Sequence, residues 1–313
     1  MSRPLVVIVG PTAVGKTALS LRLAQEFSGE IISADSRQVY RGLDIGTDKA
    51  SPAQQALVPH HLLDVVDPDQ ILTLADFQEQ AYQTIEAIHA CNHLPLLVGG
   101  TGQWVWAVVE GWGIPRVPPD MALRAEFEAQ AAAIGPEAFH AQLAEVDPQA
   151  AARLDPRNVR RVIRALEVYH KTGIPISEHQ RKTPPPYEIL IIGLTRPRSE
   201  LYARVDQRIE EMIEGGLVAE VERLVAAGCT WEFPAMSGLG YRQIGQFLRA
   251  EVSLAEAVAL IKKETRRFVR QQYNWFQLTD ERIHWFDLQA QTEAAVYQSV
   301  RQLVERQGFN AIA

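Results

Sequence analysis

Cysteine is nearly absent. The 313 residues hold two, Cys91 and Cys229, which excludes a disulfide scaffold or a cysteine-built zinc site and points to a reducing, cytoplasmic setting. Long apolar runs are also missing. Nothing approaches the ~18 residues a membrane helix needs, and Leu5 to Val9 is too short for a secretory segment and has no cleavage site behind it. No membrane partner is therefore expected. Internal repeats and low-complexity tracts are not found, and 47% hydrophobic with 22% charged residues excludes disorder and the fibrous classes. Basic charge is short as well: 31 Lys and Arg face 38 Asp and Glu, a net of −7. That total argues against a nucleic-acid partner unless the distribution overrides it.

What is present reads as α/β. Leu5 to Val9 is a continuous β-branched and aliphatic run, the pattern of a strand covered on both faces. A glycine loop follows, then a helix from about Thr17 to Phe27 with Leu19, Leu23 and Phe27 on one stripe. Glu30 to Ser33 and Leu62 to Val66 are candidate strands. Thr73 and Asp76 form a capping-box-like start for a helix to about Ala90. Leu94 to Val98 is another buried strand, ending in Gly99-Gly100-Thr101-Gly102. Alternation of strand and helix implies a doubly wound parallel sheet. A stiff segment, Ile114 to Pro119, then opens a stretch with only helices, broken at Gly135-Pro136, Asp147-Pro148 and Asp155-Pro156. Pro184-Pro185-Pro186 closes it, and Glu188 to Leu194 resumes a buried strand. Helices follow from Ser199 to Gly215, from Leu217 to Ala227 and, opened by a capping box of Ser253 with Glu256, from Ser253 to about Phe276. We therefore expect a P-loop NTPase-like doubly wound parallel sheet with an all-helical insertion domain: core residues 1–117 and 187–313, insertion 118–186.

The clearest motif is Gly10-Pro11-Thr12-Ala13-Val14-Gly15-Lys16-Thr17, which fits G-x-x-x-x-G-K-T. Its glycines let backbone N–H groups turn toward phosphate oxygens, Lys16 adds a point charge and the Thr17 hydroxyl is a Mg²⁺ ligand. The next helix points its N-terminal dipole at the anion. The motif specifies a polyphosphate or diphosphate ligand, not a reaction. P-loop NTPases commonly end an apolar strand in an Asp that helps to hold Mg²⁺, yet Leu94 to Val98 ends in Gly-Gly-Thr. The other early strand runs into Asp35, past a strand end on the P-loop's edge, where ligands bind in open α/β sheets. Position alone leaves an Asx-turn as an equal reading.

Taken in order, several segments together resemble the tRNA dimethylallyltransferases (tRNA isopentenyltransferases). They are Gly10 to Thr17, Asp35 to Tyr40, Asp44-Ile45-Gly46-Thr47, Pro59 to Asp64, Leu97 to Gly102, Arg160-Arg161 with Arg164 to Val168, Arg204 to Met212, and Gly240-Tyr241-Arg242-Gln243. The likeness covers nearly the whole chain. It implies transfer of a dimethylallyl group from dimethylallyl diphosphate to N6 of the adenosine just 3′ of the anticodon. The P-loop and Mg²⁺ would then stabilise charge developing on the leaving diphosphate. By this resemblance Asp35 is the base that takes a proton from the weakly nucleophilic amine. Thr101 contacts the reacting centre or the extruded adenosine, Arg208 helps to hold the diphosphate and Gln38 reads the adenine edge. The resemblance also places Asp35, Ser36, Arg37, Gln38, Thr101, Arg160, Arg161, Val162, Ile163, Arg164, Gly240, Tyr241 and Arg242 in tRNA binding, at the anticodon stem-loop. Read without it, Thr101 is a helix N-cap and Arg208 a solvated helix face. A monomer is expected.

Charge distribution agrees with an RNA partner. Arg153, Arg157, Arg160, Arg161 and Arg164 share one helix face, with Val159, Val162, Ile163 and Leu166 on the other side. Lys262, Arg266 and Arg270, flanked by Lys263 and Arg267, form a second stripe. Solvated faces explain either one alone, whereas two in an acidic protein favour a phosphate backbone. Extruding the target base would suit a movable helical clamp. His60 and His61 read as hydrogen-bonded structural histidines, and Trp104, Trp106 and Trp112 as core. The alternatives to a prenyltransferase are a P-loop small-molecule kinase using ATP and a non-catalytic RNA-binding module.

Overall fold

Every residue from Leu5 to Val9 is fully buried, because the strand they form lies inside a sheet covered on both faces. The computed structural model describes residues Arg3–Phe309. In chain order the first elements are β1 (Pro4–Val9), α1 (Lys16–Glu26), β2 (Gly29–Ser33), α2 (Pro52–Leu57), β3 (His60–His61), α3 (Leu74–Ala90), β4 (Leu94–Gly99) and α4 (Gly102–Glu110). The helical stretch holds α5 (Met121–Ile134), α6 (Pro136–Val146), α7 (Pro148–Ala151), α8 (Val159–Thr172) and α9 (Ile176–His179). Then come β5 (Glu188–Thr195), α10 (Arg198–Glu214), α11 (Leu217–Ala226), α12 (Tyr241–Leu248), α13 (Leu254–Trp275), β6 (Ile283–Asp287) and α14 (Glu293–Arg306). None of the described helices is long and apolar enough to cross a membrane.

The strands form one six-stranded sheet in the order β3-β2-β4-β1-β5-β6, and all its pairings are parallel. Register is set by the apolar runs: Val6 lies beside Leu96 on one flank and Leu190 on the other. Because the strands are parallel, their C-terminal ends share one edge. The P-loop after β1, Asp35 after β2 and Thr101 after β4 therefore meet there. Since β4 lies between β2 and β1, Thr101 falls between Asp35 and the P-loop.

Local capping works as the sequence suggests. Thr73 and Asp76, and likewise Ser253 and Glu256, form reciprocal capping boxes that satisfy amides at the starts of α3 and α13. Two strand expectations need correction. Leu62 to Val66 is not a strand: the pairing falls on His60–His61, and positive φ at Leu62 and Asp64 turns the chain away. Only Val66 returns, in an isolated bridge to Tyr40. The edge strand β6 has no counterpart in the sequence reading. It is short and only its first residue is buried, so it lacks the continuous apolar signature of its neighbours.

The described chain divides into two compact units. One runs to Val109 and resumes at Pro186, and the other is Glu110–Pro185. The helical unit has its own core around Phe139, Leu143, Val162, Ile163 and Val168. Glu167 is fully buried beside that core. It accepts hydrogen bonds from Arg124 Nε and Nη2, both at 2.8 Å, from Arg164 Nη1 at 2.6 Å and from the Asp120 N–H at 2.8 Å. Burial opposes ionisation, but the donors from Arg124, Asp120 and Arg164 outweigh it and hold Glu167 at about 2.

Candidate active site

The P-loop is shaped by its backbone. Gly10, Ala13 and Gly15 all have positive φ, and a Cβ on Gly10 would lie 2.5 Å from the Leu194 carbonyl oxygen, so glycine is required there. The loop's carbonyls are held by cations. Lys16 Nζ donates to the Gly10 and Pro11 oxygens at 3.0 and 2.9 Å. Arg204 Nε donates to Ala13 O at 2.8 Å, and Arg196 Nε to Val14 O at 3.2 Å. With those carbonyls engaged and no side-chain cap at the start of α1, the first-turn amides remain available to an anion. Burial lowers the Lys16 ammonium to about 8, with Asp35 opposing the shift, Arg208 adding to it and Asp48 opposing it. A polyphosphate beside Lys16 would raise that value again.

Asp35, Ser36, Arg37 and Gln38 form the facing wall. One Asp35 oxygen accepts the Arg37 N–H at 2.8 Å, so the Asx-turn is real, and the residue also lines the cavity. Thr101 Oγ1 accepts the Ser36 N–H at 3.2 Å, joining the β2 and β4 loops. The Gln38 amide is engaged at both ends: Oε1 accepts from Ser33 Oγ at 2.8 Å, and Nε2 donates to the Thr47 and Asp48 carbonyls at 3.1 and 3.2 Å. Arg37 reaches Pro234 O and Ser237 Oγ at 3.0 and 3.2 Å. Arg208 is no solvated face. It pairs with Asp48 at 2.7 Å, and burial raises the Asp48 carboxyl while Arg208 and Lys16 counter it. Thr12, Lys16, Thr17, Asp35, Asp48 and Arg208 thus share one cavity of about 450 Å³. Phosphate donors, a carboxylate and an extra cation meet in it, the set that group transfer from a diphosphate requires.

No group of three His, Cys, Asp or Glu able to cage a metal occurs among the described residues. Thr17, Asp35 and Asp48 on the cavity wall suit instead a Mg²⁺ held largely through substrate phosphates, the usual mode for that ion.

Several residues that build the site gave no sequence signal. Gln272, 3% exposed, accepts the Thr12 N–H at 2.9 Å and donates to Gly100 O at 3.0 Å. It ties the P-loop to the segment carrying Thr101, and a Cβ on Gly100 would come within 2.2 Å of its Nε2. Lys49 Nζ holds Asp44, Asp64 and the Tyr40 carbonyl at 2.6, 2.5 and 2.9 Å. A lysine or glutamine outside a motif has no local pattern that reveals such a partner.

The remaining residues singled out by the sequence have the following surroundings. Val162 and Ile163 are 0% and 3% exposed, so their side chains pack the core of the helical unit. Arg164 donates to Glu167 and to the Val117 carbonyl, so its guanidinium also holds the helical unit together. Arg160 and Arg161 are exposed. Gly240 has φ +89° and begins α12, Tyr241 is buried, and Arg242 pairs with Glu264. On the second stripe, Lys262 pairs with Glu210 at 2.6 Å, Arg266 pairs with Asp206, and Arg270 donates to Tyr202 Oη at 3.1 Å, so part of that charge is neutralised. His60 and His61 are hydrogen-bonded to Val58 O and Glu30 at 2.8 and 2.5 Å. Trp104 and Trp106 are core, while Trp112 is half-buried.

Comparison with known proteins agrees with this geometry. Residues 38–279 match the family model described as IPP transferase, and residues 3–64 match that of isopentenyl transferase. The tRNA dimethylallyltransferase of Roseiflexus sp. strain RS-1 is 56% identical, with 87% of this chain and 90% of that protein covered. That of Thermomicrobium roseum is 48% identical over 97% of this chain and 91% of its own. The full-length tRNA isopentenylpyrophosphate transferase of Bacillus halodurans superposes with a TM-score of 0.72 at 39% identity, covering 97% and 96% of the two chains. A eukaryotic dimethylallyltransferase acting on tRNA gives 0.81 at 26% identity, covering 97% of this chain and 78% of its own.

Proposed function

The chain belongs to the IPP transferase family, and from that premise we propose how its cavity works: it is a prenyltransferase that moves a dimethylallyl group from dimethylallyl diphosphate to tRNA, at N6 of the adenosine 3′ of the anticodon. The observation that carries this reading is the single cavity in which the P-loop, Lys16 and Arg208 face Asp35. The diphosphate lies on the α1 amides, with Lys16 and Arg208 as fixed cations for charge that grows as the C–O bond breaks. The Thr17 hydroxyl would serve as a protein ligand to Mg²⁺, which when bound would further stabilise that charge. Asp35, held by its Asx-turn, accepts the proton that the amine loses as the C–N bond forms. Thr101, fixed against Ser36, faces the reacting centre. Arg160 and Arg161 contact backbone phosphates of the anticodon stem-loop.

The kinase alternative is not favoured, since relatives matched along nearly the whole chain carry the name tRNA dimethylallyltransferase. The test is incubation with Mg²⁺ and unmodified tRNA, using labelled dimethylallyl diphosphate in one arm and labelled ATP in the other. Label transfer to RNA from the C5 donor is the expected result. Phosphoryl transfer from ATP, or RNA binding without transfer, would overturn the reading.

A further inference from the structure

We infer that Glu220, on α11, is a positioning residue for the diphosphate end of the site, an inference that rests on the function proposed above. Its carboxylate is 1% exposed and no Lys or Arg among the described residues pairs with it. Instead it collects four donors: the N–H groups of Asp44 and Ile45 on Oε2 at 3.2 and 2.8 Å, and the Gly46 N–H and Tyr241 Oη on Oε1 at 3.2 and 2.5 Å. A buried carboxylate is costly unless such donors are fixed around it, and removing it would leave three amides and a hydroxyl without an acceptor. What the carboxylate adds is direction: three consecutive amides must point at one group.

That geometry also accounts for two motifs. The Tyr241 ring lies against Gly46, where a Cβ would come within 2.6 Å of it, so residue 46 has to be glycine. The segment so held runs straight into the site. Asp48, two residues on, pairs with Arg208, and its φ of +53° is a left-handed turn of the kind aspartate accommodates. The Thr47 and Asp48 carbonyls receive the Gln38 amide. Releasing residues 44–46 would let Asp48 move and turn Arg208 away from the diphosphate.

The experiment combines Glu220→Gln, Arg208→Ala and the double variant, with KM for dimethylallyl diphosphate, kcat, tRNA affinity and thermal melting read for each. Glu220→Gln should raise KM for the diphosphate donor by about tenfold or more, as expected when a charge-assisted hydrogen bond is misplaced, with tRNA affinity unchanged. In the double variant the two effects should not multiply, because both act through Arg208. Tyr241→Phe keeps the ring on Gly46 and removes one donor. It should raise KM in the same direction by a smaller factor, and it carries the test if Glu220→Gln fails to fold. An unchanged KM in the folded Glu220 or Tyr241 variant, or multiplicative effects in the double variant, would overturn the inference alone. An inert Arg208→Ala would overturn the diphosphate reading and the inference with it.

Discussion

Donor binding should lose strength as the solution becomes alkaline, because its main fixed cation is only weakly basic in the free protein. Lys16 is held at about 8, against an ordinary lysine value of 10.5. Burial is the main cause, and the proton it disfavours is the one a bound diphosphate needs. The sign follows from linkage. An anion beside Lys16 raises the bound-state value above the free-state one, so binding takes up a proton between the two. Affinity is therefore full below pH 8 and falls as pH rises through it. The protonated fraction of a group with a value near 8 drops from about nine-tenths at pH 7 to about one-tenth at pH 9, a loss of roughly tenfold in affinity. Phosphate groups finish their last ionisation near pH 6, so the ligand does not contribute to this window. The assay is calorimetric binding of dimethylallyl diphosphate from pH 7 to 9.5, repeated with Lys16→Arg, whose guanidinium stays charged throughout. Wild type should show the step, Lys16→Arg should not, and Lys16→Ala should slow transfer by roughly 10²-fold or more. A flat wild-type profile would refute the argument that burial sets the Lys16 charge.

Asp35→Asn keeps the shape of the Asx-turn but not the basicity, so kcat should fall by roughly 10² to 10⁴ while substrates still bind. Single-turnover transfer across a Mg²⁺ titration checks this, and rescue by excess Mg²⁺ would reassign Asp35 to the metal. Arg160→Ala with Arg161→Ala should weaken tRNA binding and flatten the slope of log K against log salt by about 0.7 to 0.9 for each RNA phosphate left without its arginine; an unchanged slope returns both residues to an idle surface. Glu167, held at about 2 against an ordinary 4.5, should contribute about 3 kcal/mol at neutral pH. That contribution is present above about pH 4.5 and lost as pH falls through 2, so Glu167→Gln should lower stability in urea unfolding roughly twice as much at pH 7 as at pH 3.

Features encoded within a few neighbouring residues were legible from the sequence alone. The buried strands announce themselves as apolar runs, the capping boxes as Thr73/Asp76 and Ser253/Glu256, and the phosphate cradle as glycines around Lys16. In each case the physics is local: periodicity, φ permissiveness and i to i+3 hydrogen bonds. Because a parallel sheet puts all strand ends on one edge, even the meeting of Asp35 and Thr101 with the P-loop followed from the strand pattern. The half-exposed β6 and the turn at Leu62 escaped, since neither has an apolar period that outweighs its neighbours. Tertiary structure alone decided what holds the site in shape. Gln272 reaches Thr12 across 260 residues, and Glu220 collects the amides of a loop some 175 positions earlier. It also decided that Val162, Ile163 and Arg164 serve the interior of their own helical unit, whereas Arg160 and Arg161 stay on its surface. A hydrogen bond between distant segments depends on where the folded chain returns, and no local pattern of residue types records that.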